Sequence, residues 1–81
     1  IDLFPNPASG EINVWFILPQ SEFIEANLYN ERGTFLGPAF TGTGVKGLNQ
    51  VRINTSAMRA GMYALRIEYL GNSYVRTFVV R

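Results

Sequence analysis

Asn54-Thr55-Ser56-Ala57-Met58-Arg59-Ala60-Gly61-Met62-Tyr63-Ala64-Leu65-Arg66-Ile67-Glu68-Tyr69-Leu70 is the stretch that decides the fold. Its first half is a polar turn ending in Ala60-Gly61, where glycine takes a positive φ without a Cβ penalty. Its second half alternates. Tyr63, Leu65, Ile67 and Tyr69 fall on one face of a strand, and Met62, Ala64, Arg66, Glu68 and Leu70 on the other, mixed face. A Tyr two residues after a Gly, at the start of an alternating strand, reads as a tyrosine corner. In that device the ring enters a β-sandwich core and the phenol bonds back to the backbone a few residues upstream. Gly61 and Tyr63 are therefore expected to be structural.

Downstream, Gly71-Asn72 is a two-residue hairpin signal leading into Ser73 to Val80. There Val75, Thr77 and Val79 share one face, and Tyr74, Arg76, Phe78 and Val80 the larger, more apolar one. Upstream, Gly47 turns the chain into Leu48 to Ile53, a strand with Val51 and Ile53 on one face. Ala39 to Gly47 is rich in Gly and Thr and reads as a loop or a weak edge strand. Thr34-Phe35-Leu36 starts a return strand that Gly37-Pro38 is expected to end. The hairpin turn before it is Glu31-Arg32-Gly33, with Gly33 where a positive φ is needed.

Earlier still, Phe23 to Asn30 points Ile24, Ala26 and Leu28 inward, and Glu11 to Leu18 does the same with Ile12, Val14, Phe16 and Leu18. Ile1-Asp2-Leu3-Phe4 is a short edge-like strand stopped by Pro5-Asn6-Pro7, and Ala8-Ser9-Gly10 completes that turn. The tally is about seven short strands, punctuated by Gly or Pro and without a helical pattern. It predicts an all-β, immunoglobulin-like antiparallel β-sandwich, a single domain over residues 1–81.

Composition narrows the function classes. A chain of 81 residues holds one domain, and with 47% apolar and 14% aromatic residues it can pack a core without staples. There is no Cys, which removes disulfides and thiolate metal sites, and no His, the commonest acid/base group near neutral pH. Seven Lys and Arg against six Asp and Glu give a formal charge of +1 with no basic run, so nucleic acid is not an expected partner. No apolar stretch approaches the roughly 20 residues that span a bilayer. The abrupt opening at Ile1, without Met, is read as a module cut from a longer protein, with Arg81 as its C-terminus.

The landmarks resemble a known family along essentially the whole chain. Leu3-Phe4-Pro5-Asn6-Pro7-Ala8-Ser9-Gly10-Glu11-Ile12-Asn13-Val14 is similar to the opening of the C-terminal sorting domain of the type IX (Por) secretion system. Leu28-Tyr29-Asn30-Glu31-Arg32-Gly33 resembles that family's hairpin ending in a turn glycine. Thr55 to Ile67 resembles its tyrosine-corner strand, and Tyr74-Val75-Arg76-Thr77-Phe78-Val79-Val80-Arg81 its last strand. The resemblance implies an address and no reaction. Such domains end proteins exported across the outer membrane of Bacteroidota-type bacteria, by way of the periplasm to the cell surface or medium. They are recognised by translocon and shuttle proteins and commonly removed by a sortase-like cysteine peptidase, while an N-terminal passenger carries the activity. By the same resemblance, Phe78, Val79, Val80 and Arg81 are the expected recognition residues, and cleavage falls near or before Ile1.

A different class stays open beside this one: a carbohydrate-binding or adhesive β-sandwich of an extracellular enzyme. Its best candidate is Trp15, which strand parity places outside, beside Asn13 and Ile17, as a sugar-stacking platform or protein contact. The carboxylates Asp2, Glu11, Glu22, Glu25, Glu31 and Glu68 are scattered over turns and outward positions, without the spacing of a glycosidase pair or a calcium loop. No enzyme, cofactor or metal is expected. Exposed strand edges leave room for a homodimer.

Overall fold

The computed structural model describes Ile1–Arg81. Its strands are β1 (Asp2–Phe4), β2 (Glu11–Leu18), β3 (Glu22–Asn30), β4 (Phe35–Gly44), β5 (Gly47–Asn54), β6 (Gly61–Tyr69) and β7 (Asn72–Val80). They pair into a three-stranded sheet, β1-β2-β5, and a four-stranded sheet, β4-β3-β6-β7. Every pairing is antiparallel. Lettered A, B, C, C′, E, F and G, the sheets read ABE and C′CFG, an immunoglobulin-like sandwich whose fourth strand lies on the CFG side. The expected fold is the one the chain adopts.

Period-two alternation builds the core. β2 buries Ile12, Val14, Phe16 and Leu18 from one sheet, and Ile24, Ala26, Leu65, Ile67, Phe78 and Val80 meet them from the other. Full burial of each large apolar side chain contributes about 1.5–3 kcal/mol, which a chain this short needs from nearly all of them.

The tyrosine corner forms as the sequence implies. The Tyr63 phenol donates to the Arg59 carbonyl at 2.7 Å, and its ring stacks on Phe78 with centroids 5.9 Å apart. The loop it closes is tied down at its start, where the Thr55 N–H donates to the Gly10 carbonyl at 2.9 Å. Thr55 itself is buried and its hydroxyl has no partner.

Two local expectations are corrected. Gly37-Pro38 does not end the return strand: β4 runs on from Phe35 to Gly44 as the edge of its sheet. The ladder with β3 shifts register between Ala26 and Asn27 and again between Leu28 and Tyr29, opposite Pro38 and Gly37. A proline is tolerated at such an edge because its missing N–H costs no inner ladder bond. Ala39 and Phe40 consequently pack against the core, with Phe40 stacked 6.2 Å from Phe16. The turn between β6 and β7 is Leu70-Gly71, one residue earlier than expected, and Asn72 already pairs with Tyr69.

Leu70 and Gly71 both have positive φ, 52° and 73°. Two such residues match the primed hairpin turn that suits strand twist, but leucine is an uncommon occupant of its first position. Leu70→Asn should raise stability by about 1 kcal/mol, a gain of roughly 4–8 °C in Tm for a domain of this size. Tyr63→Phe should lower it by about 1–2 kcal/mol, because the Arg59 carbonyl loses its partner. Thermal unfolding of the two variants checks both signs.

Candidate recognition surface at the last strand

β7 is an edge strand. It pairs with β6 in unbroken register from Asn72–Tyr69 to Val80–Gly61, and no strand flanks its other side. Its side chains split by parity. Phe78 and Val80 are 1% and 2% exposed and sit in the core, whereas Val79 is half-buried and Arg81 exposed. Of the residues expected to meet a partner, the folded domain therefore offers Val79 and Arg81 at its surface. Phe78 and Val80 hold the strand in place.

The outer edge of β7 has two different halves. In an antiparallel ladder, alternate residues turn their N–H and C=O away from the neighbour. At Val79 both groups are taken. Its N–H donates to Asn6 Oδ1 at 2.9 Å, and its carbonyl accepts from the Ala8 N–H at 2.6 Å. The Arg81 N–H donates in turn to the Ala8 carbonyl at 3.0 Å, completing a parallel bridge between Ala8 and Val80. Ala8 is fully buried beneath this contact. The segment read as a simple turn is thus a cap on the last strand.

The same alternation leaves Ser73, Val75 and Thr77 facing outward without a backbone partner. Along that open half the Arg76 guanidinium donates to the Val75 carbonyl at 2.9 Å, placing a charge on the edge. On the outer face of the sheet a shallow cleft of about 350 Å³ lies among Tyr29, Met62, Ala64, Val75 and Thr77. A second, of about 330 Å³, opens beside the Val80 end and is lined by Arg32, Arg59 and Met62 among others.

Trp15 is outward, as parity implies, and 37% exposed. Phe4 covers part of it edge-on, with ring centroids 5.0 Å apart. Beside it a cleft of about 290 Å³ runs past Ile1, Ile17 and Leu48 to Tyr69, Tyr74 and Arg76. The Tyr69 phenol is pushed above its ordinary pKa by burial first and by the hydroxyl of the neighbouring Tyr74 second. This cleft meets β7 at Tyr74 and Arg76, away from Val79 and Arg81. Glu11 pairs with Arg52 at 3.2 Å and Glu68 with Arg66 at 2.9 Å, both on the surface, and Glu22, Glu25 and Glu68 line one open cleft of about 520 Å³.

A family model described as the secretion system C-terminal sorting domain matches residues 2–81. The chain belongs to that family. The sorting domain so identified is a C-terminal secretion signal of the type IX system, which places its function in export through the outer membrane. No curated protein and no solved structure matches it. No helix of the sorting domain is long and apolar enough to cross a membrane.

Asn6 and Ala8 are the residues that sequence reasoning missed here. Pro5-Asn6-Pro7 is visible as a strand stop, but its hydrogen-bond partners lie at the far end of the chain, 73 residues away for Asn6. Amide exchange checks the two-halved edge. The Val79 and Arg81 amides should exchange slowly and those of Val75 and Thr77 fast, although all four sit in or next to one strand.

Proposed function

We propose that this sorting domain is a non-catalytic address, read by the export machinery from the folded β7 edge and the side chains displayed at its end. The passenger lies N-terminal to Ile1 and carries whatever activity is exported. The protein crosses the periplasm, engages translocon and shuttle proteins through the domain, and passes the outer membrane. A sortase-like cysteine peptidase then removes the domain by cutting near or before Ile1.

The observation that carries this reading is the position of β7. It lies at a sheet edge, and its two faces differ, one in the core and one turned to solvent. A strand so placed can be recognised while the domain stays folded, through open backbone groups and outward side chains together.

A fluorescent passenger fused ahead of Ile1 tests the proposal in a host with the type IX system. Deleting Thr77 to Arg81 would also strip Phe78 and Val80 from the core, so a surface variant separates address from stability. Val79→Thr with Arg81→Glu should shift stability by no more than about 0.5 kcal/mol per site. The intact fusion should reach the surface or medium, and the double variant should remain in the periplasm while still folded, with a melting temperature within about 8 °C of wild type. Equal export of both would remove the last strand's outward side chains from the account. Failure of the intact fusion to leave the periplasm would contradict the sorting function itself.

A further inference from the structure

The cap on β7 is held from both of its own ends. The Phe4 carbonyl accepts from Asn13 Nδ2 at 3.1 Å, and the Gly10 carbonyl accepts from the Thr55 N–H at 2.9 Å. Between these anchors the chain leaves β1, crosses the open side of the sandwich to β7, and returns to β2. Pro5 and Pro7 flank Asn6, each with its own φ locked by its ring and without an N–H group. Asn6 itself is exposed, so its side chain serves the Val79 amide and no core contact.

This geometry has a consequence for how the last residues can be read. Outward backbone groups are the means by which a partner adds a strand to a sheet edge. At Val79 and Arg81 they are already engaged, three bonds in all, by Asn6 and Ala8. A partner strand cannot pair there without first displacing the cap. What remains free at this end is the side-chain surface.

We propose that Asn6 and Ala8 are positioning residues for the address: they clasp β7 at Val79 to Arg81, so that a protein partner reads those side chains from a fixed platform and adds no strand there. The recognition surface is then built from both ends of the domain, and Ser73 to Thr77 is the only stretch of β7 open to strand addition. The inference rests on the sorting function proposed above and specifies which part of β7 is read by side chain.

The test uses the fluorescent passenger with the intact domain and three variants: Asn6→Ala, Asn6→Asp and Ile53→Val. Asn6→Ala removes the acceptor from the Val79 N–H. Asn6→Asp keeps an acceptor of the same shape. Ile53→Val trims the core in β5, leaves the Asn6 side chain in place and controls for lost stability. In the isolated domain, exchange at the Val79 amide should quicken at least about fivefold in Asn6→Ala and return toward wild type in Asn6→Asp. Export should fall at least about fivefold in Asn6→Ala, recover in Asn6→Asp, and stay near wild type in Ile53→Val at comparable melting temperature. Export of Asn6→Ala equal to that of Ile53→Val, with the Val79 amide exposed, would overturn the clasp while leaving the sorting function intact. An intact fusion that is itself retained would sink the sorting function, and the clasp's role with it.

Discussion

Phe78 and Val80 belong to the core and to the last strand at once, and the rest of the structure depends on that double use. Phe78 stacks on Tyr63, the residue whose phenol closes the loop before β6, and Val80 pairs with Gly61 at the start of the same strand. Removing the end of β7 would therefore loosen the tyrosine corner and the sheet together. The last strand is not a tail attached to a finished domain. Its inward half finishes the domain, and its outward half is displayed because the inward half is fixed.

Edge strands invite unwanted pairing, and the domain treats its edges differently. β4 carries Pro38, several glycines and two register shifts, all of which spoil a flat template. β1 is three residues long and stops at Pro5. β7 has neither proline nor bulge, and its protection comes from the Asn6–Ala8 cap at one end and the Arg76 guanidinium over Val75 at the other. The strand stays regular over Ser73 to Thr77, which leaves its outward backbone groups unpaired except at the Val75 carbonyl that Arg76 engages.

The sandwich was legible because its signals are local. Alternation in β2, β3 and β6 names the core face directly, and Gly61 followed by Tyr63 marks the corner. The expected phenol-to-backbone bond is present at 2.7 Å. β4 was harder to read, because Gly37-Pro38 looks like a stop unless the strand is known to be an edge, which only the assembled sheet reveals. The Leu70-Gly71 turn was displaced by one residue since leucine gives no sign of a left-handed conformation. The cap was illegible for a different reason. Asn6 and Val79 are brought together by the closing of the sandwich, and no periodicity within either segment encodes the other.

At the surface, parity placed Trp15 outward and grouped Phe78 with Val80 on the more apolar face of β7, but parity cannot tell a displayed residue from a recognised one. That distinction needs a partner in the experiment. Site-specific photocrosslinking in exporting cells supplies it most directly, with the reactive side chain placed at position 81 and, as control, at position 48, an exposed site in β5 on the opposite sheet. The account predicts adducts with outer-membrane export components from position 81 and none from position 48. Adducts from position 48 alone, or equal labelling from both, would contradict recognition through the end of the last strand.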